Sequence, residues 1–218
     1  MKEQLLNLPV IVVAVTKNHT KAEICQLYDL GYRIFAESRI QELLTKIDVS
    51  KPIIWHMIGH LQTNKVKTAV TYCSMIQSID SLHLLKAVDN EANKQNKIME
   101  VLIQVNIANE DTKFGVNEND VLDLIKQASS LSNIMIKGLM VIGPHTDDKE
   151  KIKEVFIKAK SLYDHLKLLD QINVDFKYLS MGMSNDYQIA LACGSNMLRI
   201  GSLLFSDDID QSKNNHPK

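Results

Sequence analysis

Val10-Ile11-Val12-Val13-Ala14-Val15-Thr16-Lys17 decides how this 218-residue chain is read. Six consecutive apolar residues, the first four of them Val or Ile, run into a threonine and then a lysine. A short, continuous β-branched run fits a strand buried on both faces, which is what a parallel sheet requires. Thr20-Lys21-Ala22-Glu23 follows with the spacing of a helix capping box. Strand, short loop and helix start make the first half of a βα unit. In α/β folds chemistry is assembled at the carboxyl ends of the strands, and Lys17 sits at one. A lysine there is either a surface side chain that happens to follow a strand or an amine desolvated enough to attack a carbonyl.

The same alternation continues along the chain. Ile24, Leu27 and Tyr28 set a helix over 21–30, stopped by Gly31. A strand is expected over 32–36, and Ser38-Arg39-Ile40-Gln41 repeats the capping-box spacing for a helix over 38–47. After Pro52 come a strand over 53–58, a short helix from Thr63, a strand over 74–79 and a helix over 81–96. A strand over 100–107, a mostly helical stretch over 116–131 and a strand over 134–141 follow. The most regular helix opens at Asp147-Asp148 and carries Ile152, Val155, Phe156, Ala159, Leu162, Tyr163, Leu166 and Leu169 in a three-four rhythm. Strands over 175–179 and 197–200 flank a helix over 184–192, and a last helical turn starts at Gly201-Ser202. Eight strands alternating with helices predict an α/β fold, a single (β/α)8 TIM barrel over residues 1–207. The polar tail over 208–218 is expected to be disordered. An open doubly wound sheet is the alternative, although no Gly-x-Gly-x-x-Gly follows the first strand.

Composition narrows the function. Apolar residues make up 45% and charged residues 23%, as in an ordinary soluble domain. A net charge of −1, with both signs mixed along the chain, gives nucleic acid or a membrane surface no electrostatic hold. No apolar run approaches the roughly 20 residues a membrane span needs, and Met1 to Asn7 lack a signal-peptide core. Cys25, Cys73 and Cys193 are odd in number with no C-x-x-C, which suits a reducing compartment, so a cytoplasmic location is expected.

On a barrel, the strand ends can be compared directly. Lys17 ends the first strand. His56 and Gly59-His60-Leu61-Gln62-Thr63-Asn64-Lys65 end the third, and Asn106 with the loop to Gly115 ends the fifth. Ser180-Met181-Gly182-Met183-Ser184 ends the seventh, and Arg199-Ile200-Gly201-Ser202 the eighth. Barrels build phosphate sites from the loops after strands seven and eight. Gly182, Ser184, Gly201 and Ser202 are residue types that let backbone N–H groups approach an anion. The expectation is a nucleophilic lysine across the barrel mouth from a phosphate cradle. Pyridoxal 5′-phosphate (PLP), an aldehyde with a phosphate tail, fits both ends; a barrel acting on a sugar phosphate is a further reading. Beside Trp55, His56 is either a satisfied core histidine or a site residue. His60 and His145 have no second ligand at metal spacing, so no metal is expected. Glu37 and Asp186 are either acids and bases or solvated loop carboxylates.

Val15-Thr16-Lys17, the His56 to Lys65 block, Lys113-Phe114-Gly115, Gly138-Leu139-Met140, Leu179 to Ser184 and Arg199 to Ser202 together resemble the pyridoxal phosphate homeostasis protein family, in order and spacing, from Val10 to Phe205. The resemblance implies a fold-type III PLP barrel like the N-terminal domain of alanine racemase. It implies a Schiff base on Lys17, a phosphate held by Ser180, Gly201 and Ser202, Arg199 facing the pyridine nitrogen, and His56 lining the pocket. The implied role is PLP binding in vitamin B6 homeostasis, with delivery to apo-enzymes, rather than turnover. The partners are then PLP and apo PLP-dependent enzymes, without nucleic acid or membrane, and the chain is expected to be a monomer.

Three features depart from the family. Glu37-Ser38 stands where Glu-Asn is usual, Ser202 stands for a usual Thr, and only Met1 to Pro9 precede the first strand. The alternative function is a PLP-dependent amino-acid racemase. That chemistry needs a base on each face of the substrate, and in the racemases this barrel resembles the second base, a tyrosine, comes with a second domain. Tyr187 is the tyrosine nearest a strand-end loop.

Overall fold

The apolar run of the first strand is divided between two cores. The computed structural model describes residues 1–108, 110 and 114–206, and in it β1 spans Ile11–Val15. Val12 and Ala14 pack outward with the helices, while Ile11 and Val13 pack inward with Ala36, Met75, Leu102, Met140 and Met197. Burial on both faces explains why the run is continuous rather than alternating.

The remaining barrel strands are β2 (Ile34–Glu37), β3 (Ile54–Met57), β4 (Met75–Ile79), β5 (Met99–Asn106), β6 (Ile134–Val141), β7 (Val174–Ser180) and β8 (Met197–Ile200). Each pairs in parallel with the next, and β8 pairs with β1, with Val13 opposite Arg199 and Ala14 opposite Ile200. Among the described residues eight parallel strands thus close into the expected (β/α)8 barrel. No described helix is long and apolar enough to cross a membrane.

Helices α1 (Lys2–Leu6), α2 (Lys21–Asp29), α3 (Ile40–Leu44), α4 (Val66–Tyr72), α5 (Leu82–Lys94), α6 (Val121–Gln127), α7 (Lys149–Leu166), α8 (Tyr187–Ala192) and α9 (Ser202–Phe205) clothe the strands. The short segment before β1 is helical. Its Leu5 is buried, and the Tyr32 hydroxyl donates to the Lys2 carbonyl at 2.7 Å. At Thr20 the capping box forms in full. The Thr20 amide and hydroxyl donate to Glu23 and hold its carboxyl at about 2.

Three boundaries differ from the reading above. The box at Ser38 does not form: Arg39 is the N-cap, in extended backbone and without a side-chain bond, because β2 carries the chain on to the barrel mouth. Val116-Asn117 is a short strand beside Val105 and Asn106 rather than a helix start, so α6 begins only after a 3₁₀ turn at Glu118–Asp120. The chain from Met183 to Asp186 is a turn, and α8 starts at Tyr187. The tail over 208–218 lies outside the described residues.

At Gly138 two strands leave no room for a side chain. The β6–β7 register shifts between Ile136 and Gly138. Gly138 takes φ +144°, and a Cβ built there would lie 1.9 Å from the Tyr178 carbonyl oxygen. Gly138→Ala therefore forces both a left-handed side chain and a backbone clash. It is expected to destabilise the barrel by about 3 kcal/mol or more, read as a lowered urea midpoint.

Candidate functional site

Side chains alternate along a strand. Lys17 continues the series Ile11, Val13, Val15 past the end of β1 and reaches the barrel mouth. There it lines a cavity of about 470 Å³ with Val15 and His19. Ser38 after β2, Ile58 after β3 and Ile142 after β6 form further wall. The remainder comes from Met183, Ser184 and Asn185 after β7, and from Arg199, Gly201 and Ser202 of β8 and its turn. The two turns are tied together where the Ser184 hydroxyl accepts the Leu203 amide at 3.4 Å. Lys17, Ser184, Arg199, Gly201 and Ser202 are thus brought to one cavity.

The cradle does not lie across the mouth from Lys17, as the strand-end reading supposes. Closure of the barrel sets β8 directly beside β1, so the glycine-bearing turns flank the lysine on one side. A Cβ at Gly201 would stand 3.4 Å from the Val15 carbonyl oxygen.

His56, Ser180 and Gly182 lie behind the cavity surface rather than on it. Ser180 is fully buried, and its hydroxyl is committed twice: it donates to Gln77 Oε1 at 2.7 Å and accepts from Arg199 at 2.8 Å. Arg199 also donates to the carbonyls of Ser180 (2.7 Å) and Val141 (2.8 Å). Burial pulls its pKa down to about 10, with Asp186 acting the other way, so the guanidinium stays charged at neutral pH. Gly182, at φ +97° and with no room for a Cβ against Ala190, turns its carbonyl to accept the Arg199 amide at 3.0 Å. At the far end of the chain of bonds, Gln77 Nε2 meets His56 Nδ1 at 2.9 Å. Since Oε1 of Gln77 is taken by Ser180, the amide nitrogen is the donor, and Nδ1 of His56 accepts.

The result is a buried line, His56–Gln77–Ser180–Arg199, running from β3 to the cavity wall. Reasoning from sequence missed Gln77; an amide within the apolar strand Met75–Ile79 was its signal. It also missed Asn185 and His19. The His19 ring stacks on Phe205 with centroids 3.6 Å apart.

Neither carboxylate singled out from the sequence lines this cavity. Glu37 is fully buried against Thr16 and Lys46. Asp186 accepts the Met183 amide at 2.6 Å; burial raises its pKa, opposed by that bond and by Arg199. His60 pairs with Asp80 at 2.7 Å and stacks on Phe114. Among the described residues no group of three or more His, Cys, Asp or Glu could hold a metal. Lys113 lies outside the described residues.

Comparison with known proteins agrees with the fold. The model of the family "alanine racemase, N-terminal domain" matches residues 1–208. The pyridoxal phosphate homeostasis protein of Helicobacter pylori is 39% identical over 200 residues, covering 90% of this chain and 87% of that protein. The chain belongs to the pyridoxal phosphate homeostasis protein family. Two solved structures of PipY from Synechococcus elongatus extend the match to the fold of this family. The one without PLP superposes with a TM-score of 0.87 at 32% identity, covering 94% of this chain and 99% of that one. The one with PLP bound gives 0.85 at 30%, covering 94% and 100%.

His56 supplies a pH test of the buried line. Burial lowers its pKa from 6.5 to about 4. The unfolded chain therefore binds the extra proton first, and the stability this neutral ring confers is present above pH 6.5 and lost as pH falls towards 4. The loss amounts to about 3 kcal/mol. In His56→Gln that part of the acid destabilisation is expected to vanish, read by urea unfolding at pH 7, 5.5 and 4.5.

Proposed function

We propose that this chain binds PLP covalently, as a Schiff base on Lys17, and keeps it for apo-enzymes that require it. The observation that carries the reading is the single cavity shared by an amine, a guanidinium and two hydroxyl- and glycine-bearing turns. PLP supplies an aldehyde that condenses with an amine with loss of water, and a phosphate dianion that wants convergent N–H and O–H donors. The residues present fit both demands, and about 470 Å³ is within the usual range for a small-ligand site.

Each residue has a part in this reading. Lys17 offers the amine. Ser184, Gly201 and Ser202 offer hydroxyls and backbone N–H groups to the phosphate, and Gly182 shapes the turn before them. Ser180, whose hydroxyl is used up inside, serves the site by holding Arg199. Arg199 presents its cation to the ring nitrogen. His56, at the end of the buried line, fixes Gln77 and through it Ser180. Ser38 lines the cavity where the family usually has Asn, so one amide fewer reaches the bound ring.

The names of the relatives favour a holder of PLP over an enzyme. The geometry supports the same choice. Among the described residues the wall beside Lys17 carries no tyrosine or carboxylate, and its imidazole, His19, is stacked face to face on Phe205, whereas racemisation needs a second base poised on the substrate's other face. The three cysteines are all unpaired, in keeping with a proposed cytoplasmic location. A monomer is proposed, since the amine, the guanidinium and the hydroxyls lining the cavity all come from one chain.

Two measurements test the proposal. After incubation with PLP and borohydride reduction, peptide mass spectrometry is expected to find a phosphopyridoxyl adduct on Lys17, absent in Lys17→Ala. In deuterated water the loaded protein is expected to leave the α-proton of alanine unexchanged; exchange at enzyme-like rates would establish the racemase instead.

A further inference from the structure

Beneath Lys17, on the outer face of the barrel, lies an ion cluster that PLP binding alone does not explain. Lys46 follows α3, and its side chain is only 5% exposed. Its ammonium donates to Glu37 Oε1 at 2.6 Å, to Glu42 Oε1 at 2.8 Å and to the Thr16 carbonyl at 2.7 Å, which uses all three of its N–H bonds. The Thr16 hydroxyl donates to the same Glu37 oxygen. Glu42 Oε1 in turn accepts the Asn18 amide at 2.5 Å. Burial raises Glu42, but its bonds from Lys46 and Asn18 outweigh that and leave its carboxyl below the usual range.

The peptide groups just before and just after Lys17 are therefore tied to one cluster. Asn18 takes φ +66°, a left-handed turn that asparagine tolerates and that the Glu42 bond holds. Stability is a poor reason for such a cluster. Buried ion pairs are often matched by apolar residues of similar volume, and Glu37 Oε2 is buried without a hydrogen-bond partner among the described residues, which is costly. What the cluster does supply is a fixed backbone on both sides of a residue whose ammonium hangs on a flexible four-carbon stem.

We propose that Lys46, braced by Glu37 and Glu42, is a positioning residue that sets the launch point and direction of the Lys17 side chain toward its carbonyl partner. This rests on Lys17 being the PLP-bearing amine. Displacement of an attacking group by about 1 Å costs up to about a hundredfold in rate. Loosening the mount should thus slow capture at Lys17 without touching any cavity-lining side chain.

The test compares Glu37→Gln/Lys46→Met, which removes both buried charges together, with Glu42→Ala and Glu42→Gln. Each is followed by thermal melting, by the rate at which borohydride traps PLP on Lys17, and by hydrogen exchange at the Asn18 amide in PLP-free protein. The double variant and Glu42→Ala are expected to melt cooperatively and to trap at least about tenfold more slowly than wild type. Glu42→Ala should also lose Asn18 protection, and Glu42→Gln, whose amide oxygen still accepts from Asn18, should restore both. Folded variants that trap at the wild-type rate would overturn the positioning role while leaving the PLP reading intact. A wild-type protein that traps nothing on Lys17 would overturn both. Should the double variant fail to melt cooperatively, the partly exposed Glu42 pair of variants decides the matter.

Discussion

The pairing of β1 with β8 is the contact on which the site depends. The two strands come from opposite ends of the chain, and their register, Val13 beside Arg199 and Ala14 beside Ile200, aligns everything beyond them. It puts Lys17 next to Gly201-Ser202 and sends both to one cavity. Long-range parallel pairing is slow to find because loop-closure entropy is met before the contacts are gained. What holds it is burial on both faces: Val12 and Ala14 join the outer core and Ile11 and Val13 the inner one. A fully buried valine such as Val13 is worth about 1.5–3 kcal/mol, and Ala14 and the half-buried Ile11 and Val12 contribute less. The chemistry at the rim is thus anchored by aliphatic packing that takes no part in it.

Within the barrel the polar atoms are economical. One line of side chains crosses the interior, and its members satisfy one another: His56 accepts from Gln77, Gln77 accepts from Ser180, and Ser180 accepts from Arg199. In a low-dielectric interior such a network is rigid when complete and costly when broken. That rigidity fixes the direction of the guanidinium. The ion cluster outside the barrel does the same for the backbone around Lys17. Two separate buried polar systems therefore converge on one cavity, one from each face of the strand layer.

Much of this could be read from the sequence, and the exceptions share a cause. The continuous apolar run of β1 and the three-four rhythm of α7 are local, and both elements formed. Thr20 and Ser38 carry the same capping spacing, yet only Thr20 caps a helix. Ser38 is held at the end of β2, whose register with β3 extends to Glu37 and Met57, so tertiary pairing overrides the local signal. Val116 looks like a helix start until the free edge at Val105 is known to lie beside it. The side of Lys17 on which the cradle stands was beyond pattern reading, because it is decided by barrel closure and not by any short stretch. Lys46 was equally illegible: a lysine in a polar turn becomes a mount only when β1 and β2 carry Thr16 and Glu37 to it.

Arg199 shows why such a frame suits holding better than turnover. Its charge survives burial because three acceptors surround it and Asp186 stands near. A ring nitrogen approaching that cation is held unprotonated, since a second positive charge in so dry a place is strongly opposed. An unprotonated pyridine draws electrons weakly, so carbanion chemistry on a bound amino acid gains little from it. In the proposed reading the amine that captures the aldehyde is meanwhile set on a stiff mount and flanked by turns rich in serine and glycine. Firm capture combined with a weak electron sink is the physical profile of a reservoir, and both halves of that proposal rest on residues fixed by hydrogen bonds inside and outside one barrel wall.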